Sequence, residues 1–124
     1  MGLQINVLKD ETEKMLIFKL AGSLDTETYE NFMEKVAQQL VKPLKAVVLD
    51  LKDLEYISSM GISAILQAKG KVESIGCSLM MSNVPAHIEQ VFKIVKALPD
   101  VPMFESIEEA DRYFMEIQKR IKEK

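Results

Sequence analysis

The chain has 124 residues, which is long enough to bury one hydrophobic core without help from disulfides or metals. Its composition, 48% hydrophobic and 28% charged residues, is typical of a folded globular protein and argues against extended disorder. The formal net charge of −3 at pH 7 provides no basic field for nucleic acid or anionic lipid, and the single cysteine excludes an internal disulfide.

The first predicted elements are two strands that form a hairpin. Leu3, Ile5 and Val7 alternate with polar residues, which is the period of a half-exposed strand. A polar segment at 9–14 separates this strand from a second, more apolar run at 15–20. We expect the two strands to pair antiparallel at one side of a sheet.

A break after the hairpin precedes the first predicted helix. Residues 22–25, Gly-Ser-Leu-Asp, interrupt the strand pattern, and the carboxylate of Asp25 can cap a helix. Apolar residues then recur at helical spacing, namely Tyr29, Phe32, Met33, Val36, Ala37, Leu40 and Val41. Pro43 is expected to end this helix.

The centre of the predicted fold is the apolar run at 46–51 and the helix that follows it. The run is rich in β-branched residues and lacks alternation, which predicts a strand buried on both faces. The period becomes helical after Ser58 and Ser59, so the helix is expected to begin at one of them. Gly76 is expected to end it in the left-handed conformation.

The last third of the chain predicts a further buried strand at 77–82 and two more helices. The first follows Pro85 and presents Ile88, Val91, Phe92, Val95 and Leu98 on its inner face. A short strand at 101–104 leads to a capping box at 106–109, Ser-Ile-Glu-Glu. That box opens a final helix with Ala110, Tyr113, Phe114, Ile117 and Ile121 along one side.

This order of elements predicts a mixed sheet in which a hairpin is followed by parallel strands joined by right-handed crossovers. In such sheets, ligands and partners meet the protein beyond the carboxyl ends of the strands. That edge is expected to contain residues 22–25, 56–61 and 82–85. A functional site is therefore expected at this edge.

The inventory of reactive side chains argues against an enzyme. His87 is the single histidine and is predicted to be a solvated surface residue, and Cys77 is predicted to be a small buried residue rather than a nucleophile. One histidine and one cysteine cannot build a metal ligand set without a carboxylate cluster, so neither a metal nor a cofactor is expected.

The serines at the start of the central helix have two interpretations. A serine hydroxyl there can simply cap the helix by accepting a hydrogen bond from a backbone N–H of the first turn. Alternatively, the unpaired N–H groups and the positive end of the helix dipole would accommodate a phosphate at Ser58 or Ser59.

Three segments then identify a family. Residues 48–62, Val-Leu-Asp-Leu-Lys-Asp-Leu-Glu-Tyr-Ile-Ser-Ser-Met-Gly-Ile, resemble the signature of the STAS domain family, the anti-sigma factor antagonists. Residues 22–25 resemble the family's Gly-x-Leu-Asp motif, and residues 104–110 resemble its closing segment. The resemblance implies a single domain over 1–124 of the α/β class, with a mixed four- to five-stranded sheet opened by a hairpin and about four helices.

The resemblance also implies a switch. The unmodified protein would bind an anti-sigma factor that is also a serine kinase, phosphorylation of one serine would end the binding, and a phosphatase would restore it. Alignment with the family's Asp-Ser-x-Gly motif makes Ser59 the acceptor. Ser58 stands where the family usually carries an aspartate, so it is the alternative acceptor. The expected partner-binding residues are Ser23, Asp25, Tyr56, Ser58, Ser59, Met60 and Gly61.

A second hypothesis uses the same edge differently. A STAS domain could instead sense a small ligand, a nucleotide or an anion, without a role in sigma-factor control. Under either hypothesis we expect a cytoplasmic protein that is a monomer or a weak dimer. Neither a secretory signal nor an apolar run of membrane-spanning length is apparent in the sequence.

Overall fold

The computed structural model describes residues 2–12, 14–41, 44–97, 115–116 and 118–123. The elements in chain order are β1 (Leu3–Asp10), β2 (Met15–Leu24), α1 (Tyr29–Gln39), β3 (Ala46–Ile57), α2 (Ser59–Ser74), β4 (Ser78–Ser82) and α3 (Ala86–Ala97). Residues 115–116 and 118–122 are also helical and are called the C-terminal helical segment below. The expected strand at 101–104 and the capping box at 106–109 lie outside the described residues.

The four strands form one mixed sheet in the order β1-β2-β3-β4. β1 pairs antiparallel with β2, whereas β2 with β3 and β3 with β4 are parallel pairs. The predicted α/β fold, with a mixed sheet opened by a hairpin, is therefore confirmed. β3 lies between β2 and β4, inside the sheet, as expected.

The core lies on one face of the sheet. Val47, Leu49 and Leu51 of β3 are fully buried there, together with the inward residues of α1, α2 and α3. Ala46 and Val48 point to the other face and are only half-buried. The prediction that β3 is buried on both faces is thus correct for one face only, because the buried residues of all three helices join the same cluster.

Two irregularities in β3 change which of its residues face the core. β3 has 12 residues and β2 has 10, and the register between them shifts twice, between Lys19 and Ala21 and again between Gly22 and Ser23. Each extra residue in β3 is a bulge that reverses the inward and outward alternation. As a result, Leu54 and Ile57 are buried although they do not share one alternation.

The ends of α2 follow the sequence closely. Ser58 is its N-cap, and Gly76 adopts a φ of 82°, the left-handed conformation that glycine adopts at low cost. The amide of Gly76 donates to Glu73 O (3.0 Å) and that of Cys77 donates to Val72 O (3.1 Å), which satisfies two carbonyls of the last turn. Cys77 is buried, as predicted.

α3 packs its inner face on the same core. Ile88 and Val91 are fully buried and Phe92 packs partly against the cluster, as the helical spacing predicts. Within the described part of the chain, no helix combines the length and the apolar character needed to cross a membrane.

Candidate functional site

The carboxyl ends of β2 and β3 bring two distant parts of the sequence together. Leu24 at the end of β2 pairs with Ile57 at the end of β3, and the amide of Ser58 donates to Leu24 O (3.0 Å). Asp25 follows directly after one strand and Ser58 after the other. The structure therefore places them at the same edge of the sheet, as the parallel pairing predicts.

A close approach at Gly61 fixes the first turn of α2 on the end of β2. Gly61 is buried, and a Cβ atom at this position would collide with the carbonyl oxygen of Leu24. Only glycine lets the helix backbone lie this near to a strand backbone. Gly61, two residues after Ser59, thus allows α2 to begin beside Asp25.

The two serines of this turn have different surroundings. The Ser58 side chain is only 2% exposed, and its Oγ accepts a hydrogen bond from Gly61 N (3.2 Å). Ser59 is the first residue of α2 and is half-buried. Ser58 is therefore the capping residue, and Ser59 is the more exposed of the two serines.

Asp25 does not cap α1, so that prediction is wrong. The N-cap is Thr28, because four residues, 25–28, lie between the end of β2 and the helix. Asp25 instead organises that turn. Its carbonyl accepts from Tyr29 N (2.9 Å), and its Oδ1 accepts from Glu27 N (3.0 Å).

Thr28 is a supporting residue that sequence reasoning missed. Its hydroxyl is buried, donates to Ser23 O (2.8 Å), accepts from Asp25 N (2.9 Å) and lies 3.2 Å from Asp25 Oδ1. These contacts tie the turn to the end of β2 and hold Asp25 at the edge. The signal in the sequence was a threonine three residues after an aspartate, a spacing typical of turn and capping hydrogen bonds.

Of the remaining predicted partner-binding residues, some are partly exposed and others are buried beneath them. Tyr56 and Met60 are half-buried, whereas Ser23 is only 4% exposed. We call the partly exposed set Asp25, Tyr56, Ser59 and Met60 the Ser59 surface. Ser23, Ser58 and Gly61 lie beneath it and hold its backbone in place.

His87 is not a solvated surface residue, so this prediction is also wrong. It lies on the inner side of α3, is 8% exposed, and its Nε2 lies 2.8 Å from Glu55 O. Because a carbonyl oxygen only accepts, Nε2 carries the hydrogen. Burial lowers the pKa of His87, and the hydrogen bond to Glu55 acts in the opposite direction.

Gln118 is the second residue that the sequence did not reveal. The residue is 2% exposed, and its side-chain amide bonds the backbone of Ile57, next to the capping serine. A shallow groove of about 440 Å³ lies alongside, lined by Tyr56, Met115, Gln118 and Lys119 among others. Only a long-range contact identifies Gln118, because its partner is 61 residues away in the chain.

The chemistry available at this edge is that of a hydroxyl at a helix N-terminus. The positive end of the helix dipole favours an added anion at Ser59. Within the residues that the structure describes, no three His, Cys, Asp or Glu side chains are grouped to hold a metal ion.

Comparison with known proteins agrees with this architecture. The STAS domain model matches residues 6–110. BtrV of Bordetella bronchiseptica, which is named as a candidate anti-sigma factor antagonist, is 31% identical over 105 residues, covering 85% of this chain and 90% of BtrV.

Two solved structures share the fold at low identity. The anti-sigma factor antagonist SpoIIAA, in its unphosphorylated form, superposes with a TM-score of 0.60 at 16% identity, covering 96% of this chain and 98% of SpoIIAA. The murine Solute Carrier 26 family member A9 anion transporter superposes with a TM-score of 0.64 at 17% identity, covering 93% of this chain but 22% of the transporter. These two likenesses show the fold alone, whereas the family model and BtrV show the relationship. The chain belongs to the STAS domain family.

Proposed function

We propose that this protein is an anti-sigma factor antagonist, and that its Ser59 surface binds an anti-sigma factor with serine kinase activity. Phosphorylation of Ser59 ends the binding, and a phosphatase restores it. The similarity to BtrV over most of both chains supports the antagonist role. The shared edge of Asp25 and Ser59 supports the location of the binding surface.

The observation that carries the proposal is the difference between the two serines. A kinase must reach the hydroxyl oxygen that it phosphorylates. The Ser58 oxygen is buried and engaged with Gly61 N, whereas the half-buried Ser59 stands at the first position of α2. This favours Ser59 as the acceptor and gives Ser58 a structural role.

The same observation accounts for the departure from the family pattern. The family usually carries an aspartate where this chain has Ser58. Aspartate and serine are both strong N-cap residues, because each offers a side-chain oxygen to the first turn. The replacement therefore preserves the cap of α2, and the acceptor remains the following residue.

Phosphorylation can act without a large change of shape. It would add about −1.5 to −2 charges at the N-terminus of α2, where the helix dipole favours them, so the fold should persist. A partner docked on the Ser59 surface would have to desolvate this group, which costs several kcal/mol unless cations meet it. A cost of about 3 kcal/mol weakens binding more than a hundredfold.

The test uses the full chain and an anti-sigma factor with serine kinase activity from the same organism. We expect Ser59→Ala to bind this partner like the wild type but to remain unmodified with ATP, as measured by intact mass and peptide mapping. Ser59→Glu should weaken binding by roughly tenfold or more in a calorimetric titration. The matched control is Ser58→Ala, which should still be phosphorylated at Ser59.

Two outcomes would contradict the proposal. A phosphate that maps to Ser58, or an affinity that Ser59→Glu leaves unchanged, would remove Ser59 as the switch. If no partner binds but the chain binds a nucleotide equally well before and after Ser59→Ala, the small-ligand hypothesis is favoured instead.

A further inference from the structure

β3 extends beyond the end of its neighbour β4. β4 pairs only with residues 46–50 of β3, ending with Ser82 opposite Asp50. The next residue, Asn83, has a φ of 53°, a left-handed conformation that asparagine tolerates better than most residues, and its Nδ2 donates to Asp50 Oδ1 (3.2 Å). The chain therefore turns away, and among the described residues no strand pairs with 51–57 of β3 on the side where β4 ends.

Two side chains bond the backbone of β3 beyond the end of β4. Gln118 Nε2 donates to Ile57 O (2.7 Å) and Gln118 Oε1 accepts from Ile57 N (3.0 Å), so one amide satisfies both backbone groups of Ile57. Two residues earlier, His87 bonds Glu55 O (2.8 Å). These two side chains therefore bond the backbone of the part of β3 that β4 does not pair.

The Gln118 contact is next to the proposed acceptor. Ile57 is held by Gln118 on one side, and Ser58 is held by Leu24 O on the other (3.0 Å). Ser58 in turn supplies the cap of α2 through its Oγ. Ile57, Ser58 and Ser59 thus connect the buried side-chain amide of Gln118 to the proposed acceptor. Loss of the Gln118 amide would leave the backbone N–H and C=O of Ile57 without these hydrogen bonds, which is unfavourable.

We infer that Gln118 is a positioning residue for the Ser59 surface. Its two hydrogen bonds from the C-terminal helical segment fix the end of β3. This in turn fixes the first turn of α2 in the conformation that a partner or kinase recognises. The effect on recognition rests on the proposed function, whereas the effect on the first turn of α2 does not.

The first experiment measures amide hydrogen exchange in the full chain. Gln118→Met keeps the side-chain length but removes both hydrogen bonds. We expect exchange of the Ser58, Gly61 and Ile62 amides to become roughly tenfold faster or more, while Leu49 in the middle of β3 keeps its protection. If Ser58, Gly61 and Ile62 keep their protection, or if Leu49 loses as much as they do, the inference is overturned.

A second variant tests the donor separately. In Gln118→Glu, the carboxylate can still accept from Ile57 N but offers no hydrogen to Ile57 O. Acidification protonates the new carboxyl group and restores a donor. We therefore expect the amide resonances of Ser58 and Ser59 to titrate with this carboxyl group, and phosphorylation of Ser59 to be roughly tenfold slower at neutral pH.

The matched control is Gln67→Glu, an exposed glutamine of α2 whose Nε2 donates to Ser63 Oγ. It should leave the Ser58 and Ser59 resonances unchanged. Wild-type spectra recorded at each pH control for the other charged groups around Gln118, namely Glu55, His87, Lys119, Lys122 and Glu123. If the Ser58 and Ser59 resonances of Gln118→Glu follow the wild type at every pH, the inference is overturned.

The readouts separate the two proposals. If the wild type is neither bound nor phosphorylated, the proposed function fails, and amide exchange still decides the role of Gln118. If the wild type is phosphorylated at the same rate as both Gln118 variants, the positioning role in recognition fails while the proposed function stands.

Discussion

The two halves of β3 are held by different means. In the amino half, Ala46 to Asp50, the strand has a strand on each side, β2 and β4. In the carboxyl half, residues 51–57, β2 remains on one side, but Gln118 and His87 supply the partners on the other. The first half is a regular sheet, and the second depends on particular side chains.

This difference separates stability from function within one strand. Backbone pairing does not depend on which side chains a strand carries, so the amino half should tolerate surface substitutions. The carboxyl half, which adjoins the Ser59 surface, depends on the hydrogen bonds of Gln118 and His87, and a single substitution can remove either. We therefore expect mutations that alter recognition but spare the fold to cluster in and around residues 51–61.

The largest effect should come from Gly61, where α2 meets the end of β2. Gly61→Ala would place a methyl group against Leu24 O, and backbone at this point cannot yield as a flexible side chain would. We expect a loss of roughly 1–3 kcal/mol in the free energy of unfolding, measured by urea denaturation.

Gly70 is the matched control within the same helix. It has open space around the position of a Cβ atom, so Gly70→Ala should raise the unfolding free energy by roughly 0.5–1 kcal/mol. Equal effects of the two substitutions would mean that the close approach at Gly61 does not constrain the edge.

A smaller effect should distinguish the two serines. Ser58→Ala removes the oxygen that caps α2 and is expected to cost about 1 kcal/mol of unfolding free energy. Ser59→Ala should stay within about 0.5 kcal/mol of the wild type, because it does not supply the cap. If Ser59→Ala proves the more destabilising, the assignment of cap and surface must be exchanged.

The smallest expected effect is the pH dependence carried by His87. Its pKa in the folded chain lies below the ordinary value of 6.5, mainly because of burial, with Lys122 also lowering it and Glu55 opposing. Between these two pKa values the unfolded chain binds more protons, so stability is lost as the pH falls through about 6.5 towards the folded pKa.

The measurement compares the wild type with His87→Gln, which keeps an N–H donor near Glu55 O but cannot titrate. We expect a shallower fall of the unfolding free energy between about pH 7 and about pH 5 in this variant. Identical slopes would show that His87 does not contribute to the acid sensitivity of the carboxyl half.

Much of the fold could be predicted from periodicity and local signals. The hairpin, the buried residues of α1 and α3, and both ends of α2 follow from spacing, Ser58 and Gly76, because these signals involve neighbours in the chain. Ala37 and Val41, predicted on the same face of α1, are exposed instead, and Val41 lies beyond the end of the helix. The parallel pairing then placed Asp25 and Ser59 at one edge. The exposure of β3 could not be predicted, since an apolar run does not reveal how many faces are covered.

One error concerned a local turn, and the other a side chain that bonds a distant backbone group. Asp25 resembled a helix cap, but three turn residues intervene and Thr28 joins the turn to β2. His87 resembled a surface residue, yet its ring reaches Glu55 O. Both contacts satisfy backbone groups, and composition does not indicate which backbone groups lack a partner.

The sequence by itself determined the order of elements, the family and the pair of serines at the start of α2. Only the tertiary structure decided which serine is buried, and that Gln118 and His87 complete the edge beside them. The physical reason is the distance along the chain over which each interaction acts. Periodicity and capping arise between neighbours, whereas burial and the pairing of Ile57 with a side chain 61 residues away exist only once the chain has packed.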